Sequence, residues 1–323
     1  MNIRTDLAME STEAYKGLNK SDAPGVEMVT KESGKLKITR VHVSDENGAS
    51  ALGKPIGNYI TIEMPQKIHQ EQNMFERTCQ AVANELASIV RVEEDDMVLV
   101  VGLGNRNITP DALGPKVLDR VLVTRHIVEE LPDEIEGSVR PVCGITPGVL
   151  GITGIESSEV IRGIVDKVNP KMIIAIDALA SRRVERVATT IQLSDTGINP
   201  GAGIGNKRNA LNYDTMGVPV IGIGVPTVVD AATMASDTIE LVIDKLAEQC
   251  TDGSAFYNML GSLDRDEKYM LIQHVLSPTY MGNLIVTPKE VDEIINDISE
   301  IIANGINMAM HKGVTIKDLN KYA

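Results

Sequence analysis

The sequence predicts an α/β protein in which a mostly parallel sheet is flanked by helices, with an added strand-and-helix region on the N-terminal side. Three observations carry this reading. Unbroken aliphatic runs at 97–101, 172–176, 218–223 and 283–286 alternate with helical segments, and strands apolar on both faces belong to a sheet covered on both sides. Before them, residues 35–43 and 58–64 alternate polar with apolar, the period of half-exposed strands. The chain is 43% hydrophobic but has no Trp, two Phe and seven Tyr, so its core must be built from aliphatic side chains.

In chain order, residues 1 to about 30 are polar and without period, which predicts a flexible N-terminal segment. Lys35–Val43 and Asn58–Met64 then predict an antiparallel strand pair. Over Gln70–Val90, helical spacing offers Phe75, Ala81, Val82, Leu86 and Ile89 for one apolar face. Helices are expected at 111–130, 155–168, 227–249, 264–276 and 288–312, between the aliphatic strands. Thr227 with Asp230, and Thr287 with Glu290, read as cap and third-position partners that open two of these helices. Asp195–Asn209, with four glycines and Pro200, is expected to be a long ordered loop.

Charge and cysteine usage narrow the function. Lys and Arg number 31 against 45 Asp and Glu, a net charge of -14, which disfavours nucleic-acid binding because phosphates are met by clustered cations. No stretch reaches the roughly 20 apolar residues of a membrane span, and Met1–Glu10 lacks the apolar run of a signal peptide. Cys79, Cys143 and Cys250 are far apart and odd in number, as for reduced thiols in a cytoplasm. The five histidines show no metal-ligand spacing; His126 suits a charge near a helix C-terminus. No Gly-x-Ser-x-Gly elbow occurs. A soluble cytoplasmic enzyme without metal or cofactor is expected.

Two carboxylates stand out. Strand 97–101 runs into Gly102-Leu103-Gly104, and Thr109, Pro110 and Asp111 fit the cap and first positions of a helix. Beyond the carboxyl end of a strand, Asp111 occupies the usual place of a site in open α/β sheets, but an acidic first-turn residue also serves the helix dipole; both roles stand open. Asp177 closes the run 172–176 and must be solvated, paired or hydrogen-bonded there. Two such carboxylates on one sheet rim could share a water or a proton, one as acid and one as base. Gly201, Gly203 and Gly205 could offer backbone donors to a peptide carbonyl or oxyanion, or serve only as a tight connection. A nucleotide-binding α/β enzyme using the Gly102 turn stands as an alternative, although the dinucleotide fingerprint lacks its third glycine, which is Asn107, and a phosphate loop lacks its glycine at Asn206.

Taken together, Gly102–Asn105 with Thr109–Pro115, Pro147–Glu156, Ala175–Ala180, the 195–208 loop, Ile223–Asp230 and Val286–Asp292 resemble the germination (spore) protease family. The likeness runs from Ile3-Arg4-Thr5-Asp6-Leu7-Ala8 nearly to the C-terminus. It implies an aspartate-dependent endopeptidase that degrades small acid-soluble spore proteins in the forespore or spore core. It also implies a homotetramer and a phosphorylase/hydrolase-like α/β fold akin to hydrogenase-maturation peptidases. Asp111 and Asp177 match the family's two proposed catalytic aspartates. The resemblance further implies an inactive precursor that cuts itself at Asp6–Leu7, within a run like the substrate motif. On that reading residues 1–6 are a propeptide, 7–95 an N-terminal strand-and-helix segment, and 96–323 the peptidase core, which 31–95 could join in one domain. Kinship to hydrogenase-maturation peptidases raises a metal-templated alternative, in which the two carboxylates hold a cation. The chain departs from bacilli-type members in a shorter stretch between Ala247 and Leu263 and in its brief propeptide.

Overall fold

The computed structural model describes residues 5–65, 68, 73–93, 95–130, 139–201, 208–235, 238–239 and 284–319. Among the described residues nine strands build one sheet: β1 Val26–Ser33, β2 Leu36–Val43, β3 Gly57–Glu63, β4 Val98–Gly102, β5 Val142–Ile145, β6 Met172–Ser181, β7 Thr190–Ser194, β8 Val220–Asp230 and β9 Ile285–Val286. Their order is β1-β2-β3-β7-β8-β6-β4-β5, with β9 against β8. The half made by β5, β4, β6 and β8 is parallel, and the half made by β1, β2, β3 and β7 is antiparallel, as is the β7–β8 seam. The chain is thus the expected α/β fold, with a sheet that is mixed across its width.

Strand alternation divides the core into two layers. Val98, Val100, Met172, Ile174, Ile176 and Ile221 face one side, where helix α3 (Met74–Ile89), helix α4 (Leu113–Leu118) and the long helix Val291–Met310 pack. Leu99, Val101, Ile173 and Ala175 face the other, against Ile161 and Val165 of the helix Ser157–Val168. Asp177, two residues beyond Ala175, continues this second face.

Several local expectations are corrected. From Thr5 onward the N-terminal segment is not loose. Ala8–Asn19 forms helix α1, Val26–Ser33 forms β1, and Leu7, Ala8 and Met9 are buried with Val41, Val43 and Leu179. Polar side chains hid this burial because Glu10, Ser11 and Thr12 are themselves buried and hydrogen-bonded. The helix expected over 111–130 is broken into a short 3-10 turn at Thr109–Asp111, α4, and Arg125–Glu130. Between them the branched run Val121–Thr124 is tied off: the Asn307 side chain accepts from Leu122 N, and Thr124 N donates to Val142 O. His126 therefore sits at a helix start.

Thr227 does not open a helix; it lies inside β8, and Asp230 caps the following helical residues by accepting from Thr233 N. Thr287 does not cap with Glu290 either, since its hydroxyl donates to Thr227 O. The helix expected at 264–276, most of that at 227–249, and the shortened 247–263 stretch lie outside the described residues. Among the described residues, no helix is long and apolar enough to cross a membrane.

Candidate active site

Asp177 is not at a strand end. β6 continues through Ala178-Leu179-Ala180-Ser181, held by β8, so the carboxylate projects from mid-strand and is only 4% exposed. Asp111 comes from the turn that follows β4. Gly104 makes that turn at φ +105, where a Cβ would lie 2.0 Å from Asp111 O. A side chain at Gly102 would meet Gly114 O at 2.3 Å. These glycines therefore serve the close approach of the chain to itself.

Asp111 does not cap a helix, and neither does Thr109, whose hydroxyl donates to Asp292 Oδ1 at 2.8 Å. The Asp111 carboxylate instead accepts from Asn105 N at 2.8 Å. Thr227 fixes the turn from the other side by donating to Pro110 O at 2.7 Å. Sequence reasoning gave Thr227 a capping role because its partner is 117 residues distant.

Both aspartates line one cavity of about 290 Å³, whose walls include Leu103, Ile108, Val149, Leu150 and Leu179. Gly201 and Asp6 line it too; Gly203 and Gly205 lie outside the described residues. Arg208, paired with Glu156 at 3.2 Å, faces the same space. Burial raises the Asp111 carboxyl above its ordinary range, while the Asn105 amide and the Arg208 charge draw it back down. Asp177 is pushed well above its ordinary range, first by burial and then by the negative charges of Asp111 and Asp6. Both carboxyls are thus raised, Asp177 the more strongly, as expected where two acidic groups share one buried site.

The segment ahead of α1 lies across this site. Asp6 N donates to Ala180 O at 3.1 Å, and Ala180 N donates to Asp6 Oδ2 at 2.9 Å. Asp6 O accepts from Lys54 Nζ at 3.0 Å and from Gln192 Nε2 at 3.1 Å, and Ala8 N donates to Gln192 Oε1 at 2.8 Å. Leu7 is fully buried. Four residues on, the Glu10 carboxylate accepts from Thr5 Oγ1, from the backbone N–H groups of Arg182 (2.8 Å) and Arg183 (3.2 Å), and from Arg186 (3.2 Å). Sequence reasoning found Asp6 and Leu7 only through family likeness and missed Lys54, Gln192 and Arg186. No local pattern marks these three.

Among the described residues no group of three His, Cys, Asp or Glu side chains is gathered as a metal cage.

The model of the family described as germination protease matches residues 3–256 and 250–323. A germination protease of Clostridium tetani is 51% identical over 322 residues, covering 100% of this chain and 99% of that protein. One from Caldanaerobacter subterraneus is 50% identical over 321 residues, with 99% and 98% covered. One from Bacillus subtilis is 42% identical over 357 residues, with 99% and 96% covered.

Proposed function

Because this chain belongs to the germination protease family, and is thus a protease of spore germination, we propose that it is an endopeptidase using Asp111 and Asp177 in general acid/base hydrolysis. Asp111 takes a proton from water as the water oxygen bonds to the peptide carbonyl carbon. Asp177 then gives its proton to the departing amine. The observation that carries this reading is that two carboxylates, the more buried of them pushed well above its ordinary range, line a single cavity with Asp6.

The same reading makes Thr5–Glu10 the enzyme's first substrate. The acidic Asp6, buried Leu7, Ala8 and Glu10 follow the pattern of the expected cleavage motif, and the bond between Asp6 and Leu7 is bordered by the cavity of the aspartates. The uncut segment occupies the place of a substrate, which supports an inactive precursor that processes itself. Family likeness supports small acid-soluble spore proteins as the later substrates, a homotetramer as the working form, and the spore core as the compartment.

The test uses the full chain and purified small acid-soluble proteins. Asp111→Asn is expected to slow both self-cleavage and substrate cleavage by about 10²–10⁴-fold, the usual contribution of a proton-transfer group. Leu7→Pro is expected to yield an uncut chain inactive on the spore proteins, followed by mass spectrometry of the N-terminus. Full turnover by Asp111→Asn would remove the two-aspartate mechanism, and an uncut yet active Leu7→Pro chain would remove the precursor. Activity abolished by exhaustive chelation and restored by a divalent cation would instead favour the metal-templated reading.

A further inference from the structure

The two aspartates account for proton transfer but leave the carbonyl oxygen of the cleaved bond without a partner. In the transition state that oxygen gains most of a negative charge, and donors aimed at it form the largest single contribution in many hydrolases. The structure already places two donors there. Asp6 O accepts from Lys54 Nζ at 3.0 Å and from Gln192 Nε2 at 3.1 Å. Asp6 also lines two cavities, one containing Asp111 and Asp177 and the other, of about 310 Å³, containing Lys54 and Gln192. Water activated by the aspartates and donors to the oxygen thus come from two different cavities bordering residue 6.

Both donors are mounted rigidly. Lys54 follows helix α2 (Glu46–Leu52), whose end is turned by Gly53 at φ +63; the N–H groups of Gly53 and Lys54 both donate to Ala49 O, and Pro55 restricts the next step. Besides Asp6 O, the Lys54 ammonium reaches Thr5 O at 3.3 Å, so this cation donates to two main-chain carbonyls of one docked segment. Gln192 sits on β7 between β3 and β8. Its amide straddles the Asp6–Leu7 bond: Oε1 accepts from Ala8 N, which orients Nε2 toward the carbonyl. Burial lowers the Lys54 pKa, opposed by the charges of Asp6 and Glu10.

We propose that Lys54 and Gln192 are catalytic residues that bind the carbonyl oxygen of the cleaved bond and stabilise the oxyanion formed on it. The proposal rests on Asp6–Leu7 being that bond. When water adds to the Asp6 carbonyl carbon, the C=O π pair moves onto the oxygen and is held by Lys54 and Gln192. Its return re-forms the carbonyl as the bond to Leu7 N breaks and Asp177 supplies that nitrogen's proton. The expelled amine and the new Asp6 carboxyl complete the balance. A peptide substrate from another protein would present the carbonyl of its own acidic residue to the same pair.

The experiment measures the rate of Asp6–Leu7 cleavage in the full chain, where no binding step intervenes, by mass spectrometry. Lys54→Met is expected to lower it about 10²–10³-fold, the usual loss for one oxyanion donor, and Gln192→Met to lower it by at least about tenfold. Lys54→Arg should recover part of the rate and keep it at alkaline pH, where the wild type declines as Lys54 loses its proton. Hydrogen exchange at the Asp6 amide, which donates to Ala180 O, reports docking separately, and is expected to stay protected in all three variants. Wild-type speed in both Met variants overturns the proposal, as does a rate that falls only in proportion to lost protection, which would mark the two as docking groups. A wild-type chain that never cuts this bond overturns the functional reading along with it. Cleavage in the wild type with loss only in the aspartate variants overturns the oxyanion pair alone.

Discussion

Asp177→Asn is expected to abolish most cleavage while making the folded protein more stable at neutral pH. The activity loss, about 10²–10⁴-fold, follows from removing the proton donated to the leaving amine. The stability gain follows from burial. Asp177 is held among Ile176, Ala178 and Leu179 and only 4% exposed, and the charges of Asp111 and Asp6 disfavour its ionised form. In the unfolded chain this carboxyl ionises near its ordinary value of 3.8; in the folded chain it holds its proton to higher pH. Between those two values the folded state binds the extra proton, so stability falls as pH rises through the window and levels off above the folded pKa. Asn is neutral throughout. The variant and the wild type should therefore differ little in this respect below the unfolded value, and the variant should gain as pH rises. The gain amounts to about 1.4 kcal/mol for every pKa unit of elevation. Urea unfolding of both chains across pH, beside a cleavage assay, measures the two effects together. A variant less stable than the wild type at neutral pH would mean that the carboxylate is satisfied as an ion and does not serve as the acid.

That carboxylate also shows how far the sequence could be read. The strands were legible because a run such as Met172–Ile176, apolar on every residue, can only lie in a sheet covered on both faces. Asp177 read as the end of its strand because a charge interrupts the run, yet the backbone goes on pairing through Ser181. A buried functional carboxylate looks in one dimension like a boundary. Thr227 misled in the same way: it read as a helix cap, yet β8 passes through it, where the ladder steps irregularly from the Leu179–Pro226 pair to the Ala180–Val228 pair. The N-terminal segment was illegible for another reason. Glu10 is buried through partners at Arg182, Arg183 and Arg186, and Asp6 is half-buried and held by Lys54, Ala180 and Gln192. Contacts separated by 48 to 186 residues leave no periodicity, so the segment reads as polar and loose. Only the combined family motifs brought Asp6 and Leu7 forward, and they could not indicate what grips the bond between them.

Arg186 tests that grip from the far end. Its guanidinium is almost fully buried, contacts Glu10 at 3.2 Å and Glu13 at 2.6 Å, and stands 3.8 Å from Glu63. Glu10 is itself 3% exposed. The Glu10 carboxylate and the guanidinium are taken from water, with Glu13 about a third exposed beside them, so such a cluster contributes little net stability when complete. Removing one member is different, because it leaves charge buried without its partner. Arg186→Ala in the uncut chain is therefore expected to cost about 3–5 kcal/mol in urea unfolding at neutral pH. It is also expected to release residues 5–19 to hydrogen exchange, since Glu10 and Glu13 tie α1 to the sheet through this side chain. Arg186→Lys should recover less than half, because an ammonium cannot span both carboxylates as the planar fork does. The decisive comparison adds Glu10→Gln to Arg186→Ala. If the cost is an unpaired buried charge, the amide, which can still accept from the Arg182 and Arg183 N–H groups, returns part of the stability. A double variant weaker than Arg186→Ala alone would show that the cost comes from lost packing, and that the clamp on Glu10 is made by the two backbone amides without need of the cation.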